Sequence, residues 1–237
     1  MMYQLNLSRV LFLDIETVPQ SPDYDQLEGK SKALWDKKSG QLKTEAMPTP
    51  ASVYGRAGIY AEFGRIIVIS VGFFNGSEFR IKSFYGDDEK ILLEEFAQLL
   101  NRHYNQADDM LCAHNGKEFD FPYIARRMVI NGIELPFILQ LAGKKPWEVK
   151  HLDTMELWKF GDYKSYTSLE LLTHILNIPT PKDDIDGSQV GHVYWVERDL
   201  ERIRHYCQKD VLAVAQVMRR YLNQPLIRDE QVVIADA

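Results

Sequence analysis

Two cysteines, Cys112 and Cys207, are all that 237 residues contain, and their spacing matches no zinc-ligand pattern. A disulfide framework is excluded, and a reducing, cytoplasmic setting is expected. No uninterrupted apolar run comes near the roughly 20 residues that a membrane helix needs. The first apolar stretch, Val10 to Leu13, is cut by Asp14, so neither a spanning segment nor a secretory signal is expected, and no membrane partner. An excess of positive charge is also missing, with 28 basic against 34 acidic side chains and a net charge of −6. A broad basic face that grips duplex DNA through many phosphates is thereby excluded. Nucleic acid itself is not, because bound divalent cations reverse the sign of an acidic cleft locally. What is present, 45% hydrophobic and 26% charged residues, is the composition of a globular chain with a core, enough for one large domain or two small ones.

Along the chain, Arg9 to Thr17 is a short apolar run that gains acids near its end and predicts a first strand. From Pro19 to Phe63 the strand character is lost in Lys- and Pro-rich sequence, which predicts an insertion, lid or disordered excursion at about 20–62 with no helix assigned. Gly64 to Phe74 is β-branched and nearly continuous in apolar character, and Asn75-Gly76 reverses it into Glu78 to Tyr85 as a hairpin. An amphipathic helix follows over Asp87 to Tyr104, then a strand at Met110 to Ala113 and a helix opened by Pro122 and closed by Asn131-Gly132. A fifth strand is expected around Val149 to Thr154. Thr167 with Glu170 reads as a capping box for a helix to about Asn177, and the last long helix runs from about Glu197 to Tyr221. The sum is a mixed α/β sheet of five strands flanked by helices.

Three acidic pieces stand out on this frame. Asp14 and Glu16 are two apart on the first strand, so both carboxylates leave the same face and call for a counter-charge; oxygen-preferring Mg²⁺ or Mn²⁺ suits them. An Asp-x-Glu triplet also arises about once by chance in a chain this acidic, as acids at a solvated strand end. Asp120 precedes a helix, where an acid commonly does no more than face the helix N-terminus. Tyr206 and Asp210 are one helical turn apart beside the apolar stripe of Ile203, Cys207, Val211, Val214 and Met218, where a tyrosine usually packs. In open α/β sheets, however, ligands collect outside the carboxyl ends of the strands, and all three pieces fall there.

Taken in order, Asp14-Ile15-Glu16, Asn115-x-x-x-Phe119-Asp120 and Tyr206-x-x-x-Asp210 resemble the three exonuclease motifs of the DEDD superfamily of 3′→5′ exonucleases, in the version with tyrosine in the third motif. The second motif is most similar to the proofreading exonuclease domain of family B DNA polymerases. The resemblance implies a ribonuclease H-like fold and hydrolysis of phosphodiester bonds from the 3′ end of a single strand, DNA favoured over RNA. It implies two divalent cations, Mg²⁺ or Mn²⁺. Asp14, Glu16 and Asp210 would ligate the first, with Asp14 bridging to the second and Asp120 acting on that one directly or through water. Tyr206 would orient the attacking water, and Asn115, Phe119 and Thr17 would touch the strand end, Phe119 by packing on a base. Residues 1–237 then form a single, freestanding exonuclease domain, with no protein partner indicated.

Lower on the scale, Asp153 is either a support of the metal site or a strand-end acid. Lys117, Arg126, Arg127, Lys144, Lys145 and Lys164 are candidate phosphate contacts or plain surface, and Trp147, Trp158 and Trp195 are expected in packing. Two rivals stay open: a nucleic-acid-binding module of the same fold without turnover, and a phosphohydrolase of nucleotides or short oligonucleotides.

Overall fold

The computed structural model describes residues 5–162, 164, 166–179 and 185–235. Six strands, β1 (Val10–Pro19), β2 (Gly64–Asn75), β3 (Glu78–Tyr85), β4 (Met110–Ala113), β5 (Leu152–Asp153) and β6 (Val232–Ile234), form one mixed sheet in the order β5-β4-β1-β2-β3-β6. β1 is central, antiparallel to β2 on one side and parallel to β4 on the other. Its alternation sorts the core. Leu11, Leu13 and Ile15 meet helices α2 (Glu89–His103) and α3 (Asp120–Ile130) on one face, while Val10 and Phe12 meet the long C-terminal helix on the other. Gly72 of β2 lets that helix approach, since a Cβ there would strike Val211 and Phe79.

The mixed α/β sheet flanked by helices stands as expected, with corrections at its margins. A sixth strand, β6, pairs parallel with β3; three residues carry too little pattern to announce it. β5 is two residues rather than six, because Asp153 turns the chain at once into α4 (Thr154–Trp158) by accepting from the amides of Met155 and Glu156. Helix α5 (Leu169–Ile175) is capped by Ser168, not Thr167. After α6 (Val190–His192) and a π turn at Val193–Glu197, Arg198 takes a left-handed φ of 59° and Asp199 caps α7 (Leu200–Tyr221), which therefore begins three residues later than its apolar pattern suggests.

The segment after Pro19 contains α1 (Gly29–Ser39) and 3₁₀ turns at Tyr24–Gln26 and Tyr54–Ile59. Trp35, fully buried, centres a small cluster with Leu27, Val53, Tyr54 and Ala57, and its Nε1 donates to the Pro50 carbonyl at 2.9 Å. Tertiary contact to one tryptophan, rather than an amphipathic stripe, holds α1 in place. The segment joins the body where Tyr123 of α3 donates to the Gly58 carbonyl at 2.7 Å.

Candidate functional site

β4 pairs with β1 only as far as Phe12, so among the described residues the second half of β1 has no strand partner on that edge. Asp14 and Glu16 sit there. By strand alternation they leave the same face as Val10 and Phe12, the face that α7 covers. Past Glu16 the pairing with β2 shifts register, a bulge between Glu16 and Thr17. The Thr17 hydroxyl hydrogen-bonds to Tyr123, which gives that side chain a partner within the protein.

Asp120 opens α3 and is almost fully buried. Its carboxylate accepts from its own backbone amide and from that of Ile15, so it occupies the β1 edge that β4 has vacated. The turn leading to it is set by Asp153. One oxygen of that buried carboxylate accepts from the amide of Asn115 at 2.9 Å and the other from the amide of Lys117 at 3.1 Å, beside the two α4 amides it caps. Asn115, held at φ 62°, keeps its side-chain Oδ1 buried and without a hydrogen-bond partner. Phe119 is half-buried against Tyr123, with ring centroids 5.3 Å apart.

α7 brings the third piece. Tyr206 hydrogen-bonds to Asp210 one turn on, and Cys207, between them, points its thiol at β1, donating to Asp14 Oδ2 at 3.3 Å and to the Asp14 carbonyl at 3.4 Å. Cys207 is the residue that sequence reasoning missed at the site. It lies on the apolar stripe of α7 and reads as core; only the packing of α7 on β1 shows it facing a carboxylate.

The electrostatics record the convergence. Burial, then the charges of Glu16, Asp210 and Asp120, pushes the Asp14 carboxyl well above the usual carboxylate range. Burial, then Asp210 and Asp120, does the same to Glu16. Burial lifts Asp120 to about 7, with Asp153 and Asp210 adding to the rise and the two backbone amides opposing it. Burial and then Asp210, Glu16 and Asp14 hold the Tyr206 phenol protonated far beyond its ordinary value. The structure thus brings Asp14, Glu16, Asp120, Tyr206 and Asp210 together. Glu16 is 8% exposed, and among the described residues nothing donates a hydrogen bond to its carboxylate. Four carboxylates gathered at one strand edge fit a divalent cation. One ligand atom each from Asp14, Glu16 and Cys207 lie within 4.8 Å of one another.

Of the candidate phosphate contacts, Arg127 is removed: it is buried, bonded to Glu89 and to the Ala61 carbonyl. Lys117 pairs with Glu156 at 2.7 Å. Arg126, Lys144, Lys145 and Lys164 are exposed. Beside Asn115 and Asp153 runs a groove of about 1040 Å³ along α3, bordered by Lys117, Phe121, Arg126, Lys144 and Lys159. Trp158 stacks on Tyr221 and Trp195 packs on Tyr194 as expected, whereas Trp147 is 77% exposed.

Comparison with known proteins gives a consistent picture. Residues 59–229 match the model of a family described as predicted 3′-5′ exonucleases related to the exonuclease domain of PolB. The match begins downstream of Asp14 and Glu16 and takes in Asp120, Tyr206 and Asp210. A DNA polymerase of Pyrococcus glycovorans is 20% identical over 146 residues, 56% of this chain and 18% of that protein. The family B DNA polymerase of the hyperthermophilic archaeon Pyrobaculum calidifontis superposes with a TM-score of 0.52 at 12% identity, over 90% of this chain and 24% of that one. The chain thus spans under a quarter of these polymerases, and the structural likeness carries the fold.

Proposed function

Because the chain belongs to the family of predicted 3′-5′ exonucleases related to the PolB exonuclease domain, we propose that it removes nucleotides from the 3′ end of single-stranded nucleic acid, DNA before RNA, in a divalent-metal-dependent reaction. The observation that carries this reading is the convergence of four carboxylates from β1, α3 and α7 at the open edge of β1. Two divalent cations, Mg²⁺ or Mn²⁺, held by Asp14, Glu16, Asp120 and Asp210, would supply an ionised water and charge neutralisation at the scissile phosphate.

The chain's own residues do the rest. Tyr206, kept as a neutral phenol, orients the attacking water by hydrogen bond and cannot serve as its base. Asn115 offers its orphaned Oδ1 to the terminal hydroxyl of the strand, a donor that would meet an otherwise unsatisfied buried acceptor. Phe119 packs on the terminal base, and Thr17 borders the strand end from β1. The groove along α3 has a volume at the top of the about 300–1,000 Å³ range of small-molecule pockets, with Arg126, Lys144 and Lys159 on its border. A reducing, cytoplasmic setting goes with the free thiols of Cys112 and Cys207.

A 5′-labelled single strand incubated with the protein and Mn²⁺ is expected to shorten stepwise, and to stay intact with Asp14→Ala. If DNA and RNA strands both remain full length with the unaltered protein, the enzyme reading is wrong. Asp153→Asn tests the support of the turn: an amide facing four N–H groups costs about 1–3 kcal/mol of stability, and misplacing Asn115 and Asp120 lowers turnover about 10–100-fold. Thermal unfolding and strand-shortening rates check the two parts.

A further inference from the structure

We propose that Cys207, with Asp14 and Glu16, forms a carboxylate–carboxylate–thiolate site for one soft divalent ion, Zn²⁺ or Cd²⁺, in the place of the first hard ion. The inference rests on the exonuclease reading of the same site and adds to it a sulfur ligand. A four-coordinate zinc with sulfur at about 2.3 Å and oxygen at about 2.0–2.2 Å sets those two ligands about 3.5 Å apart. Asp14 Oδ2 stands 3.3 Å from Cys207 Sγ, so the thiol and carboxylate are already at ligand-to-ligand spacing. Glu16, 8% exposed, completes the trio within 4.8 Å and has no hydrogen-bond donor on its carboxylate among the described residues.

Three protein ligands leave a fourth position for water, the arrangement of an open rather than a closed zinc site. Mg²⁺ has no use for sulfur, and under it the thiol stays a hydrogen-bond donor to Asp14. When a soft ion enters, a metal–sulfur bond forms, the S–H bond breaks and its proton passes to solvent. The position of Cys207 between Tyr206 and Asp210 on α7 ties this ligand to the third acidic piece. Cys112, buried on β4, belongs to the core cluster on the α7 face and is not in the trio.

The test is a Cd²⁺ titration of the full chain, read by the ultraviolet sulfur-to-cadmium charge-transfer band. One thiolate band per chain is expected. It persists in Cys112→Ser, disappears in Cys207→Ser, and saturates only at about tenfold or more higher Cd²⁺ in Glu16→Gln. No band in the unaltered chain, a band that survives Cys207→Ser, or one that is unmoved by Glu16→Gln overturns the proposal. Should Cys207→Ser fail to fold, as circular dichroism would show, the unaltered chain, Cys112→Ser and Glu16→Gln still decide it. Mn²⁺-driven strand shortening by the unaltered chain reports on the parent reading separately: shortening without a cadmium band defeats only the thiolate site, and a band without shortening defeats the exonuclease.

Discussion

Asp14→Asn is expected to lose more than about a hundredfold in strand-shortening rate while gaining stability in the absence of metal. The two effects have one origin. The carboxyls of Asp14, Glu16 and Asp120 are all raised by burial and by one another's charge. A carboxyl whose folded value lies above its unfolded value favours the folded state below the unfolded value, near pH 4, and that contribution is lost as pH rises through the folded value. At pH 7 the metal-free cluster is therefore self-repelling, and a neutral amide in place of Asp14 relieves it. A gain of about 1–2 kcal/mol corresponds to a rise of roughly 2–8 °C in melting temperature for a chain of this size.

Three measurements by scanning calorimetry check the argument. The stabilisation of Asp14→Asn should be present at pH 7 in chelator and vanish near pH 4, where Asp14 in the parent and Glu16 and Asp120 in both proteins are protonated. Mn²⁺ should raise the melting temperature of the unaltered protein more than that of the variant. An Asp14→Asn protein no more stable than its parent at pH 7 would mean that the four acids do not repel one another as their positions require.

Arg127→Ala is expected to cost about 3–5 kcal/mol, because removing one partner leaves the other as an uncompensated buried charge. Glu89 and Arg127 are both buried. Glu89 also accepts from the Ile66 amide at 2.7 Å and the Asn131 side chain at 3.0 Å, and Arg127 reaches the Ala61 carbonyl at 2.8 Å. One ion pair therefore joins the start of α2, the last turn of α3, the start of β2 and the end of the segment after Pro19. Urea unfolding should show a midpoint well below that of the parent. The double change Glu89→Leu with Arg127→Met should recover part of the loss, because no lone charge remains, though not all of it, because the Ile66 amide and Ala61 carbonyl lose their partners. If the single and double variants unfold alike, the penalty is one of packing and not of charge.

The hairpin at Asn75-Gly76, the strand at Met110–Ala113 and the apolar stripe of α7 are written in local pattern, since turn chemistry and hydrophobic periodicity operate over a few residues. Asp14, Glu16, Asp120, Tyr206 and Asp210 were likewise readable as an ordered set on the right kinds of element. Arg127, a candidate phosphate contact or plain surface by sequence, is neither, because the carboxylate it meets is 38 residues away. Asp153 was ambiguous because its four amide donors come from two separate turns.

The sequence by itself therefore determined the strand and helix types, the two faces of the central strand and the identity of the acids, all of which follow from spacing along one element. Tertiary structure alone decided that the segment after Pro19 is built around Trp35, that a short β6 joins the sheet edge, and that Cys207 turns its thiol toward Asp14. The physical reason is separation: Asp14 and Cys207 are 193 residues apart, and a contact between residues so distant is fixed only by how α7 packs across β1, which no local pattern encodes.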